Sequence, residues 1–254
     1  VIGTSIFLIF MPLFKTLVLG ISPAGDIVQQ IANAHTSFNL INTIIFLPFI
    51  SIFAKVVTRI VPGEEKIIKK GPLYLDKRVI NTPSIAITLA KKELIRMGEL
   101  AKENLDKAMA AFINKDESLI KEVIEVEDVI DELENDITEY LAQISQKSLT
   151  KDNSALHTSF LHAVNDIERV GDHAHNIVEY AEVCINDNVT FTPFALKEIT
   201  EMHSFVSETF DISIQALKEN NLDLAEKVIL NENKIDEMEK SLRKSHISRL
   251  NEGQ

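Results

Sequence analysis

Three Glu-x-x-x-Asp motifs mark the later part of the chain: Glu127 with Asp131, Glu168 with Asp172, and Glu232 with Asp236. A spacing of four puts both carboxylates on one helix face, one turn apart. Like charges there repel, so an isolated helix gains nothing from the pair. A bound cation, or Arg and Lys from a neighbouring helix, removes the penalty. Two such helices face to face can supply four carboxylates to one metal or metal cluster. The oxygen-only set suits Mg, Ca, Mn or iron better than a soft copper site. An acidic helix also produces this spacing by chance, and the charges then form only a solvated face.

Other residues near the motifs carry lesser expectations. His173 and His175 follow Asp172 and are either metal ligands or ordinary exposed or hydrogen-bonded histidines. Arg169 is expected to pair with a carboxylate on a neighbouring helix. Gly171 is expected to let two helices approach closely. Cys184, the one cysteine, excludes an internal disulfide framework and any multi-cysteine zinc site. Its place near a helix end marks it as inert. No nucleophile motif, Gly-rich phosphate loop or Ser-His-Asp ordering is present, so nothing supports an enzyme.

The motifs must be positioned by helices. Apolar residues recur at helical spacing over 85–114, then over 116–146, where Leu119, Val123, Ile130, Leu133, Ile137 and Leu141 form one stripe. A polar loop at 147–154 predicts an N-cap at Asn153 or Ser154 and a third helix to about 185. After a second loop at 186–193, a fourth helix reaches about 219 and a fifth spans about 221–250. Each is about 45 Å long at the helical rise. No useful strand alternation appears. The fold class is all-α, and loops this short predict antiparallel neighbours in a bundle.

A shift of 105 residues superimposes 89–134 on 194–239, with 15 identities in 46 positions. Glu93/Glu198, Met97/Met202, Asp106/Asp211, Glu127/Glu232 and Asp131/Asp236 are among them. The simplest account is two copies of a three-helix unit, at about 85–185 and 193–254, the second incomplete. A third helix of the second copy would fall near residue 273, so the chain is expected to be truncated there. A start at Val1 rather than Met points the same way at the other end.

Composition separates this helical part from what precedes it. The chain has 254 residues and a formal net charge of −12. That balance argues against nucleic-acid binding, which needs a basic face. Residues 1–60 hold only Lys15, Lys55 and Arg59 against Asp26. Residues 38–57 form an apolar run of about the length that spans a bilayer core, and 2–20, interrupted by Lys15, form a weaker one. The alternative is a pair of buried helices in a soluble protein. Arg59, Lys66, Lys69, Lys70, Lys77 and Arg78 follow, a cytoplasmic flank by the positive-inside rule. The expected organisation is therefore transmembrane spans over 1–60, a basic linker over 61–84 and a helical domain over 85–254. His35, Thr36, Ser37, Asn39 and Asn42 put polar groups at the start of the second span. They either line a transport route or serve an interfacial loop and helix-to-helix hydrogen bonds.

The string from Asp166 through Glu168, Arg169, Gly171, Asp172, His173 and His175 to Ile177 resembles the PhoU signature, as does Glu127-x-x-x-Asp131. The run from Glu93 to Leu100 is similar to the first helix of that family. Upstream, Ala34-His35-Thr36-Ser37-Phe38-Asn39, followed by an apolar span ending in Pro48-Phe49, resembles the last spans of the bacterial sodium/phosphate cotransporters. Members of that family carry a PhoU-like tail. The resemblance implies a sodium-coupled phosphate transporter of the bacterial inner membrane, with sodium as coupling ion and a cytoplasmic helical tail that regulates it. It implies iron, zinc or another divalent metal at Glu127, Asp131, Glu168 and Asp172, and at Glu232 and Asp236. It also implies inorganic phosphate and sodium as partners, together with phosphate-signalling proteins or a homo-oligomer. The chain departs from the family in two respects. The Gln-Ser-Ser-rich substrate motifs are absent, and so is the sixth helix of the tail. A membrane-anchored regulatory module that does not itself transport, and a purely structural bundle with solvated carboxylates, are the alternative readings.

Overall fold

The computed structural model describes residues 10–23, 25–60 and 69–251. The chain divides into two units, Val1–Ile67 and Ile68–Gln254. Among the described residues every regular element is helical.

In the first unit, α1 spans Met11–Ile21 and α2 spans Ile27–Phe46. Asp26 caps α2 by accepting from the Gln29 amide at 3.0 Å. A 3-10 turn over Leu47–Phe49, with Pro48 inside it, leads to α3 at Ile50–Ile60. The apolar stretch runs over Ile27–Phe53, 27 residues, none of it buried by protein. It is long and apolar enough to cross a membrane. It starts earlier than the expected 38–57, because the polar group His35 to Asn39 lies inside α2 rather than ahead of it. Of the expected span at 2–20, residues 2–9 lie outside the described residues. Its remainder is the eleven-residue α1.

The second unit contains α4 at Pro83–Asn114, α5 at Glu117–Ser145, α6 at Lys151–Asn186, α7 at Pro193–Glu219 and α8 at Leu222–Asn251. Proline at the first position starts α4 and α7, where its missing N–H is no loss. Asp116 caps α5 and Thr192 caps α7. α6 begins three residues earlier than the loop-like sequence suggested. Its cap is Thr150, whose Oγ1 accepts from the Asn153 amide at 3.3 Å, and not Asn153 or Ser154.

Buried positions on α6 follow 160, 164, 167, 171, 174, 178 and 181, alternating steps of four and three. This is the seam of coiled-coil packing. Facing residues from α4 and α5 close two apolar clusters. One is built around Leu94, Met97, Ile130, Leu133 and Ile137, the other around Ala108, Val123 and Val178. Each large aliphatic side chain buried there contributes roughly 1.5–3 kcal/mol. α4 is antiparallel to α5 and to α7, and α5 to α6. α8 packs against α7.

The internal repeat reappears as backbone geometry. Lys115 and Asn220, 105 residues apart, both end their helices in the left-handed region, with φ of 55° and 52°. The following residues, Asp116 and Asn221, both cap the next helix through their side chains.

Candidate functional site

The first two carboxylate motifs lie on α5 and α6, which run antiparallel. Their meeting is set by Gly171. A Cβ there would stand 3.2 Å from Ile130 Cγ2 and 3.4 Å from Ile130 Cδ1, so glycine lets α6 close on α5 as its position suggested. Ile130 lies between Glu127 and Asp131, and Gly171 lies beside Asp172. The close approach therefore sits among the acids.

Burial raises the pKa of Glu127 above the ordinary 4.5, and Asp131 adds to it while His175 opposes. Burial also raises Asp131 above 3.8, with Asp172 and Asp128 adding. Glu168 is raised by burial, then by Asp172, Asp131, Glu134 and Glu127. Acids of two helices thus act on one another as a single cluster. His175 stands against the cluster, with Nδ1 3.5 Å from Glu127 Oε2 and Nε2 3.8 Å from Glu179 Oε1. Arg169 is exposed and makes no ion pair among the described residues, contrary to expectation, and His173 is exposed beside it. Cys184 is buried, as an inert thiol would be.

Glu232 and Asp236 lie elsewhere. Both are exposed on α8, and neither is among the charges acting on Glu127, Asp131 or Glu168. The chemistry of the α5–α6 donor set fits a hard divalent cation: carboxylates that raise one another's pKa lack positive charge. Their side chains are not gathered for it. Among the described residues, no three of His, Cys, Asp and Glu form a group able to hold an ion.

In the first unit, His35 and Asn39 are exposed one turn apart, with Asn39 Nδ2 3.4 Å from His35 Nδ1. Thr36 is exposed, and Ser37 is half-buried. Asn42 lines an apolar groove of about 300 Å³ between α1 and α2, with Phe14, Leu17 and Phe38. The five residues do not converge on one point.

Sequence reasoning missed a second constellation. Glu93 is a fully buried carboxylate that accepts from the amides of Leu73 at 2.8 Å and Tyr74 at 2.6 Å. Arg96 Nε donates to its other oxygen at 2.5 Å, and Arg96 Nη2 donates to the Gly71 carbonyl at 2.7 Å. Tyr140 donates its hydroxyl to the Asp76 carbonyl at 3.0 Å. Residues 69–82, expected as linker, are a strap fastened to α4 and α5. The expected linker's residues 61–68, with Lys66, lie outside the described residues. The signal was present in part: Glu93 and Arg96 sit three apart on a helix, but their strap partners are some twenty residues upstream. Glu198, the repeat equivalent of Glu93, holds Arg249 of α8 at 2.7 Å instead.

The pattern of the PhoU domain matches residues 94–181 and 199–254. The chain belongs to the PhoU domain family. The matched segments cover all of α5 and α8 and most of α4, α6 and α7. The chain is 31% identical over 169 residues to the phosphate-specific transport system accessory protein PhoU homolog 1 of Thermotoga maritima, covering 66% of this chain and 72% of that protein. A PhoU homolog of Aquifex aeolicus is 30% identical over 149 residues, 58% of this chain and 66% of its own length. YjbB of Escherichia coli, named for inorganic phosphate export, is 20% identical over 220 residues. That alignment takes in 86% of this chain but 40% of YjbB. No solved structure matches the chain significantly. The PhoU relationship accounts for the helical unit, including the motifs on α5 and α6.

Proposed function

We propose that the chain is the C-terminal part of a sodium-dependent phosphate transporter of the bacterial inner membrane, with its PhoU helical unit in the cytoplasm regulating phosphate movement. The observation that carries this reading is one chain that holds both a 27-residue apolar helical stretch and a PhoU bundle. The likeness to YjbB supports it, since an alignment of 220 residues takes in much of the apolar segment as well as the bundle. His35, Thr36, Ser37, Asn39 and Asn42 are the residues we assign to the transport route, with sodium as the coupling ion. Glu127, Asp131, Glu168 and Asp172 would hold a divalent cation, iron or zinc among the candidates, with Glu232 and Asp236 as the second-copy equivalents. Such an ion would supply positive charge to the α5–α6 acids. Inorganic phosphate, phosphate-signalling proteins and a second copy of the chain are the partners that follow, and no catalytic step is assigned.

A second reading, a membrane-anchored PhoU regulator that does not itself transport, is favoured by the relatives named as accessory proteins. Radiolabelled phosphate flux separates the two. The complete protein, with and without its helical unit, is expressed in a bacterium lacking its own phosphate transporters, in sodium and in choline buffer. Sodium-dependent flux that changes when the unit is removed supports the transporter reading. Absence of flux in both buffers overturns it in favour of the anchored regulator.

A further inference from the structure

A groove of about 500 Å³ opens where the strap, the first half of α4 and the end of α7 meet. Lys91, Lys92 and Arg96 of α4 and Lys218 of α7 line it, against the single carboxylate of Glu99. Four cations in one groove are a marked local reversal in a protein of net charge −12. Tyr74 of the strap and Ile95 of α4 add an apolar wall.

The cations are poorly neutralised. Lys91 Nζ donates to Asn220 Oδ1 at 2.6 Å and to the Lys218 carbonyl at 3.4 Å, both neutral oxygens. Burial lowers its pKa below the ordinary ammonium value. Lys92 is exposed and makes no ion pair among the described residues. Lys218 lies 3.4 Å from Glu99 with both side chains exposed, a pairing that a stronger anion displaces readily. Arg96 is engaged with Glu93 and the strap carbonyls, which fixes Tyr74 at the groove edge.

We propose that this groove binds a phosphoryl-bearing polyanion of nucleotide size, with Lys91, Lys92 and Lys218 receiving its phosphoryl oxygens and Tyr74 and Ile95 flanking its body. The volume falls within the usual range for small-molecule sites, roughly 300–1,000 Å³. Lysine is a natural point-charge ligand for phosphoryl groups. The proposal does not rest on the transport reading or on the α5–α6 acids, because the groove is built from other elements. A phospholipid headgroup offers the same chemistry, and the test separates the sources.

The full 254-residue chain in detergent micelles is titrated calorimetrically with ATP, tripolyphosphate and orthophosphate. In parallel it is reconstituted into phosphatidylcholine vesicles with and without phosphatidylglycerol, and the ATP titration is repeated. The expected result is saturable binding of ATP or tripolyphosphate that weakens as salt is raised. The double variant Lys92→Ala/Lys218→Ala is expected to bind about tenfold more weakly or worse, from loss of two charge-assisted contacts. Lys121→Ala, exposed on α5, is expected to leave affinity unchanged. Both groove substitutions are at exposed positions, and circular dichroism checks that the fold is kept. Unchanged affinity in the double variant, or no saturable binding of either soluble polyanion, overturns the proposal. Loss of ATP binding specifically in phosphatidylglycerol vesicles assigns the groove to a headgroup and overturns the soluble-ligand reading.

Discussion

Ser207 on α7 donates its hydroxyl to Asp106 Oδ1 on α4 at 2.6 Å, and the two residues are linked by the repeat. The equivalent of Asp106 in the second copy is Asp211, and the equivalent of Ser207 in the first copy is Lys102. Lys102 in turn feels the charge of Asp211 across the same seam. Position 102 meets 211, and position 106 meets 207. The first helices of the two copies therefore cross as an internal pseudo-dyad, the arrangement that two like surfaces adopt in an isologous dimer. Lys102 Nζ at 2.8 Å and His203 Nε2 at 3.2 Å complete the shell around Asp106.

This seam gives the first prediction. Burial works to raise the Asp106 pKa, but the hydrogen bonds from Lys102 and Ser207 outweigh it and hold the carboxyl below its ordinary value. Asp106→Ala is expected to destabilise the helical unit by about 2 kcal/mol and Ser207→Ala by about 1 kcal/mol. Contacting residues couple, so the double variant should cost less than the sum. Denaturant unfolding followed by circular dichroism measures all three. Additive losses would remove the clasp from the account of the seam.

The acid cluster on α5 and α6 predicts a distinctive pH dependence. Glu127, Asp131 and Glu168 have folded pKa values above their ordinary ones. Between the ordinary and the raised values the native state holds more protons than the unfolded chain. Stability therefore falls as pH rises through that window. Asp106 acts oppositely: its contribution is present above its ordinary 3.8 and is lost as pH falls toward its lower folded value. The thermal midpoint should accordingly fall as pH rises from the ordinary carboxyl range through the raised values of these acids. Glu127→Gln/Glu168→Gln should flatten that limb. A profile that is unchanged by the double substitution would show that the acids do not repel one another in solution.

Adding a divalent cation tests the same acids differently. Mn(II), Fe(II) or Zn(II) should raise the midpoint of the native chain and have less effect on the variant with Glu127, Asp131, Glu168 and Asp172 changed to Ala. Binding to the folded form at a hundredfold excess over Kd is worth about 2.7 kcal/mol. Metal content measured by mass spectrometry on both proteins accompanies the scan. No bound metal in either would leave these residues as a repulsive surface cluster.

The strap supplies a prediction about dynamics. Arg96→Ala removes the partner of a fully buried carboxylate and is expected to destabilise by about 3 kcal/mol or more. Glu93→Gln keeps the shape but loses the charge that both strap amides point to. Amide exchange at Leu73 and Tyr74 should rise in either variant before exchange in the α5 core does. Uniform acceleration across the unit would instead mean that the strap unfolds only with the bundle.

Gly171→Ala sets two effects against each other. Alanine favours a helix over glycine by about 1 kcal/mol. Its Cβ would stand 3.2 Å from Cγ2 of the fully buried Ile130, so that side chain must give by a few tenths of an ångström inside the core. Overpacking of this kind costs roughly 1–3 kcal/mol, so a net loss of stability is expected. A gain would place α5 and α6 farther apart than the structure has them.

Much of this architecture was readable from periodicity and repetition. The ends of α4, α5, α7 and α8 fall within two residues of the sequence reading, because Pro83, Asp116, Pro193 and Asn221 punctuate the chain chemically. α6 was read short because its first residues, Lys151 and Asp152, face water and look like the loop before them. The apolar segment was read late because His35 and Asn39 are polar yet helical, and bond along their own helix. The close approach at Gly171 was readable from its residue type, while the spacing of the carboxylate motifs showed only that each pair shares one helix face. The Glu93–Arg96 clasp was not, since its partners are backbone groups of the strap, which carry no residue signature. Neither was the contact of Asp106 with Ser207, although the offset of 105 residues that places them was already visible in the sequence.

The strap also makes α4 a mechanical element. Its 32 residues form a rod of roughly 48 Å. One region of that rod is gripped through Glu93 and Arg96, and its far end turns directly into α5 at the left-handed Lys115. A pull on the chain at Lys69 or Gly71 reaches the rod through two short hydrogen bonds to Glu93 and the guanidinium of Arg96. Ser207 holds the same rod to α7 through Asp106, so the strap and the repeat seam are anchored on one helix at two points along its length.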